Sequence, residues 1–138
     1  MTLQKDAVVD IPEKRVKYFG TTGKMLLPSP GTVAAVIENI PAKTLMTTEL
    51  LLNKLTAQFD VQGTCPETTR KALKAIVHDQ SSTVAHWRVI NKNGGLRSGY
   101  PGGVEAQAAR LREEGFLIDG NGKALKVVNF SENLVQFT

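Results

Sequence analysis

One thiol, one histidine beside one tryptophan, and one strip of cations are the groups here with chemistry to offer. Cys65 is the only cysteine, and it opens the run T-C-P-E-T-T-R just ahead of Pro66. That places it at a helix start, where the positive end of the helix dipole favours a thiolate. His86, Trp87 and Arg88 stand together in V-A-H-W-R-V-I. A glycine-rich loop follows (Gly99, Tyr100, Pro101, Gly102, Gly103), and then a charged helix that ends at Glu113, Glu114 and Gly115. Glycines let backbone approach another group closely, so this loop can wall a pocket; a plain connection has the same composition. After Cys65, at about 100° per residue, Glu67, Arg70, Lys71, Lys74 and His78 share one helix face. Such a face meets phosphates, or it is simply solvated.

Composition narrows the classes. The 138 residues suit one domain able to bury a core without disulfides or metal. A single cysteine allows no internal disulfide. Together with the lack of a signal-peptide pattern, this leads to the expectation of a cytoplasmic protein. No apolar run approaches the roughly 20 residues that span a membrane, so no membrane partner is expected. The net charge of +4 is a mild pointer to a polyanion. No Cys/His cluster has zinc spacing, and there is no P-loop, G-x-S-x-G or H-E-x-x-H, so no metal and no cofactor is expected.

These groups need elements to hold them. Residues 1–24 read as a weakly structured arm with Val16, Tyr18 and Phe19 as anchors, and residues 25–138 as a single domain. Ser29 caps a helix with Pro30 in its first turn, and Val33, Val36, Ile37 and Ile40 recur at helical spacing up to Pro41. Thr47 caps a second helix with Leu51, Leu52, Leu55 and Phe59 inward. The third opens either with a Thr64–Glu67 capping box or with Cys65 as cap and Pro66 in the first turn. Two amphipathic helices joined by a short turn, the second cationic, match a helix-turn-helix, or an ordinary small helical domain. Residues 84–90 alternate as a strand, and Asn93-Gly94 signals a hairpin returning at Leu96. That hairpin makes a wing carrying Lys92 and Arg97. A helix over 104–114 buries Val104, Ala108 and Leu111 and stops at Gly115. Residues 116–118, the turn D-G-N-G and residues 124–130 close the chain as a β-hairpin. The expected fold class is mainly α with small β: a winged helix-turn-helix plus a C-terminal hairpin.

The order of these pieces resembles the DNA-binding domain of O6-alkylguanine-DNA alkyltransferases, and more closely the alkyltransferase-like proteins. The resemblance runs from about residue 31 to 116. It is carried by Ile40-Pro41, P-E-T-T-R opening the cationic helix, W-R-V-I, G-Y-P-G-G and E-E-G-F. It implies that Arg70 fills the space left by a guanine flipped out of duplex DNA; a DNA-binding role then has Arg70, Lys71 and Lys74 carry the contact, with Thr68 and Thr69 near phosphates. It also implies a pocket for the flipped base at Thr48, His86, Trp87, Arg88, Tyr100 and Glu114. The chain departs from the alkyltransferase pattern where the chemistry lies. His86 stands at the nucleophilic cysteine, Trp87 at the activating histidine, Ala85 at the preceding proline, and Thr48 at a tyrosine. Arg88 and Glu114 persist. A thiolate nucleophile needs a thiol and something to lower its pKa, so no catalytic residue and no methyl transfer are expected.

Three functions remain in view. The first is a non-catalytic binder of duplex DNA, with or without modified guanine, working with a repair or regulatory protein. The second is a protein-interaction module that kept the winged fold and lost DNA. The third is a new acid–base pair, His86 with Glu114, which rests on the resemblance alone. Trp87 either stacks on a base or closes the core, and alternation along a strand favours the core.

Overall fold

The computed structural model describes residues 5–79, 83–97, 100, 102–120 and 125–135. Gly99 and Pro101 of the glycine-rich loop, and residues 121–124 of the terminal turn, lie outside the described residues. Five α-helices and three small sheets make up the described chain. No helix among the described residues is long and apolar enough to cross a membrane.

The strands are β1 (Ala7–Asp10), β2 (Lys24–Leu27), β3 (Met46–Thr47), β4 (Gly63–Thr64), β5 (Val89–Ile90), β6 (Ile118–Asp119) and β7 (Lys126–Val127). The helices are α1 (Glu13–Phe19), α2 (Pro30–Glu38), α3 (Thr48–Gln58), α4 (Pro66–Val77) and α5 (Gly103–Glu113). β1 pairs antiparallel with β2, which pairs parallel with β4. β3 and β5 pair parallel, and β6 with β7 antiparallel.

The cap chemistry read from the sequence is present. Ser29 Oγ accepts the Thr32 N–H at 3.2 Å, and Thr47 Oγ1 accepts the Leu50 N–H at 3.1 Å. At α4 the Cys65–Pro66 alternative is realised rather than the Thr64–Glu67 box. Thr64 lies in β4 and shares a 2.8 Å hydrogen bond with Thr56. Gly115 has φ +95°, the left-handed backbone that ends α5 and that side chains other than glycine's adopt at a cost.

Three expectations need correction. Residues 5–24 are not a loose arm: they form β1, α1 and the start of β2, and the expected boundary at residue 24 falls inside that strand. Of the expected anchors, Val16 and Phe19 pack on the third core cluster while Tyr18 is exposed, and polar contacts to distant residues add to them. Asp6 accepts from Ser29 N–H at 2.7 Å and Thr32 Oγ1 at 2.6 Å, and Arg15 reaches Cys65 Sγ at 3.1 Å. Residues 84–90 are not one strand; His86–Arg88 is a 3-10 turn, leaving only Val89 and Ile90 extended. The Asn93-Gly94 turn exists, closed by the Asn91 N–H donating to Gly95 O at 2.9 Å. Its return does not pair with β5, however: Leu96 donates to Leu125 O, and β5 pairs with β3.

That β3–β5 pair joins two cores. Met46 and Val89 pack into a cluster with α2, α3 and α4, around Val36, Ile37, Leu51, Leu55, Leu73 and Ile76. Their neighbours Leu45 and Ile90 pack into a second cluster with Leu96, Ala108, Leu111, Phe116 and Val127. Successive strand residues point to opposite faces, so two residues suffice to serve both. A smaller cluster of Ile11, Met25 and Cys65 lies under Val16 and Phe19. There the Phe19 ring lies against Gly63, where any Cβ would overlap it. Gly63→Ala is therefore expected to destabilise the protein by about 1–3 kcal/mol through overpacking. Urea unfolding monitored by circular dichroism measures it.

Candidate nucleic-acid interface

The cationic strip forms on α4 much as its spacing requires. Leu73, Ile76 and Val77 are buried, while Arg70, Lys71 and Lys74 are exposed on the adjoining face. Lys71 lies 3.9 Å from Glu67, one turn earlier. The two threonines behave differently from expectation. Thr69 is buried, and its hydroxyl donates to the Cys65 carbonyl at 2.8 Å. Thr68 is half-buried and donates to Cys65 Sγ at 3.3 Å. A threonine inside a helix readily bonds back to the carbonyl four residues earlier, which removes Thr69 from the outer surface.

Beside α4 lies a cavity of about 480 Å³, bounded by Thr48 and Leu52 of α3, Arg70, Leu73 and Lys74 of α4, and the loop residue Arg97. Among the described residues, three cations and no carboxylate line it. Burial, and then the like charge of Arg70, pulls the Arg97 guanidinium below its ordinary value. Like charges held together at a polar wall make a place that an anion would relieve. Arg97 thus belongs to this cavity more than to a wing. Lys92 is exposed and pairs with Glu49 at 3.2 Å.

The other expected pocket residues gather elsewhere, around Glu114. Its carboxylate accepts the Lys43 N–H at 2.8 Å, the Trp87 indole N–H, and the Arg88 Nε–H at 3.0 and 3.1 Å to its two oxygens. Arg88 Nη1 also donates to Ile40 O at 2.9 Å, at the end of the segment after α2. Both charged side chains are largely covered, 16% exposed for Arg88 and 14% for Glu114. Burial pushes the Glu114 carboxyl up, but the donors of Lys43, Trp87 and Arg88 outweigh it and leave the pKa below the usual value.

Trp87 is half-buried against the second core, with the Arg110 guanidinium 3.9 Å from its ring centre. It is neither an open stacking platform nor fully interior. His86 sits against Tyr100, ring centres 5.2 Å apart. Its Nδ1 is buried without a hydrogen-bond partner among the described residues. Burial, then the charges of Arg110 and Arg97, hold its pKa below the ordinary imidazole value. His86 and Glu114 form no acid–base pair, because the carboxylate is already taken by Trp87, Arg88 and Lys43. Thr48 stands apart from this group and lines the α4 cavity instead. Cys65 is buried in the third cluster. Burial raises its pKa, and the Thr68 and Arg15 donors outweigh that, so the thiol titrates below its usual value.

Gln107 is the residue the sequence reading missed. It is fully buried. Its amide accepts the Arg97 N–H at 2.7 Å and donates to Trp87 O and Val89 O at 3.0 Å each. So it fixes the Arg97 loop and the 3-10 turn against α5. The signal was available: positions 104, 107, 108 and 111 make one inward stripe, and only 107 is polar.

No family model and no curated protein matches the sequence. Among solved structures, the fold is similar to the crystal structure of S. pombe Atl1 in complex with damaged DNA containing O6-carboxymethylguanine. The TM-score is 0.58 and the identity 24%, over 78% of this chain and 94% of that one. A structure of S. pombe ATL in complex with DNA matches with the same TM-score and coverage at 23% identity. At this identity the likeness establishes the fold.

Glu114→Gln is expected to cost about 3 kcal/mol near neutral pH, because Arg88 stays buried without its counter-charge. A carboxylate with a depressed pKa stabilises the fold fully above the ordinary carboxylate range and loses that contribution as pH falls through its lowered value. The difference between wild type and Glu114→Gln in urea unfolding should therefore shrink on going from neutral to strongly acidic solution. A constant difference would contradict the assignment.

Proposed function

We propose that this chain is a non-catalytic binder of duplex DNA that works as an alkyltransferase-like protein does, with α3 and α4 as a helix-turn-helix and α4 presented to the groove. The carrying observation is the exposed Arg70–Lys71–Lys74 strip beside a cavity lined by Arg70, Lys74 and Arg97, with no carboxylate among the described residues. The fold it shares with the S. pombe Atl1 and ATL structures, both of them DNA complexes, supports the same reading. Arg70 is the side chain offered to the base stack, Lys71 and Lys74 neutralise phosphates, and the turn carrying Lys92 flanks them in the position of a wing. Thr68 and Thr69 act indirectly, by holding the first turn of α4.

In this reading the cavity admits an extruded base, with modified guanine favoured because a damaged base costs less to unstack. Methyl transfer is absent from it: Cys65 is buried in another cluster, and His86 and Trp87 occupy the positions of the reactive pair. A repair or regulatory protein would then act on the marked site. Among the described residues the large exposed apolar side chains are Val8, Tyr18, Leu117 and Val128. They lie on separate elements, apart from Leu117 and Val128, which are joined by a backbone hydrogen bond. This scatter favours the DNA reading over a purely protein-docking one.

Fluorescence anisotropy with plain and O6-methylguanine duplexes across a salt series tests the proposal. Binding should weaken steeply with salt, because releasing condensed counterions gains less entropy as the salt concentration rises. Arg70→Ala should weaken it roughly tenfold, about 1.4 kcal/mol, and Lys74→Ala should reduce the salt slope by about 1. Undetectable binding at low salt, or binding indifferent to both substitutions, would reject it.

A further inference from the structure

A second depression, of about 450 Å³, adjoins the cavity beside α4 and shares Thr48 and Leu52 with it. The end of α1, Tyr18 and Phe19, lines it together with Gln62 and Lys92. α1 is fixed in this place by two contacts. Phe19 lies on the bare backbone of Gly63, and Arg15 bonds to Cys65 Sγ and, at 3.3 Å, to Glu67 at the head of α4. Arg15 and Phe19 are four residues apart and so share the inward face of α1. Lys14 and Tyr18, also four apart, share the neighbouring face.

That neighbouring face is turned to solvent. Tyr18 is 65% exposed, its ring edge-on to Phe19 with centres 4.9 Å apart, and Lys14 is exposed. A tyrosine placed in water at the lip of a polar depression gains little from packing, yet offers a hydroxyl donor. α1 carries Lys14, Arg15 and Lys17 against Glu13, a surplus of two positive charges. The one carboxylate among the residues lining the depression, Glu49, is paired with Lys92. The lining itself is thus charge-balanced, and the surplus positive charge beside it is that of Lys14 and Lys17 on α1, since Arg15 is paired with Glu67.

We infer that this depression is a second contact on the same duplex: it takes the sugar–phosphate backbone beyond the stretch that α4 covers. Tyr18 donates its hydroxyl to a phosphate oxygen, and Lys14 neutralises a charge. Most protein–DNA hydrogen bonds go to the backbone, from residues of these types, and they set register rather than sequence. This rests on the DNA-binding reading above and extends the interface to an N-terminal element that neither the cationic helix nor its cavity requires.

The test compares the wild type, Arg70→Ala and the double variant Lys14→Ala/Tyr18→Ala on one plain duplex over a salt series. Both substituted side chains of the double variant are exposed, so its thermal midpoint should match the wild type. The expected result is a three- to tenfold loss of affinity in the double variant, with the salt slope reduced by about 1. If the wild type binds in an Arg70-dependent way and the double variant binds equally well with the same slope, the inference is overturned and the α4 reading stands. If the wild type does not bind at all, both fall.

Discussion

A buried carboxylate, Glu114, sets the geometry on which the rest depends. It collects the Arg88 guanidinium, the Trp87 indole and the Lys43 amide, and Arg88 passes the connection on to Ile40 O. One ion pair thereby ties the end of α5 to the 3-10 turn and to the segment after α2. Such a pair adds little net stability over a hydrophobic replacement, but removing one member leaves a charge stranded where water is scarce. Its value here is positional. It fixes the segments that lead directly into β3 and β5, and these two strands meet at Met46–Val89 and Thr47–Ile90. The residues immediately following, Thr48 and Asn91, are already at the edge of the α4 cavity.

From that seam outward, charge rather than shape distinguishes the surface. Arg97 is close enough to Arg70 and to His86 for its charge to depress the titration of one and to be depressed by the other. It stands between the cavity and the Glu114 cluster, held by its own backbone N–H on the buried Gln107.

Local signals were legible in the sequence wherever one residue decides the outcome. Ser29, Thr47, Pro66 and Gly115 marked helix ends, and the 3.6-residue apolar spacing of α2 to α5 marked their buried faces. The cationic face of α4 was legible for the same reason. What was not legible depends on partners far along the chain. The N-terminal segment looked loose because Asp6 finds Ser29 and Thr32, and Arg15 finds Cys65 and Glu67, only after folding. The Val84–Ile90 run alternated like a strand, but Trp87 and Arg88 both turn toward one carboxylate, and that demands a 3-10 turn. The expected base pocket split in two because Thr48 is carried by α3, on the cavity side of the seam.

The same geometry decides how the protonatable groups weigh against one another. A general base needs an open lone pair and a pKa near the working pH. Glu114 has its oxygens engaged by Lys43, Trp87 and Arg88 and a pKa held low, so it is a poor acceptor. His86 has a low pKa and an Nδ1 sealed from solvent, with no carboxylate to orient it. The Cys65 thiol does titrate low, but it lies beneath Phe19 and is 4% exposed. Arg70, Lys71 and Lys74, by contrast, stand exposed on α4, where in the reading proposed above they meet the charges of a polyanion.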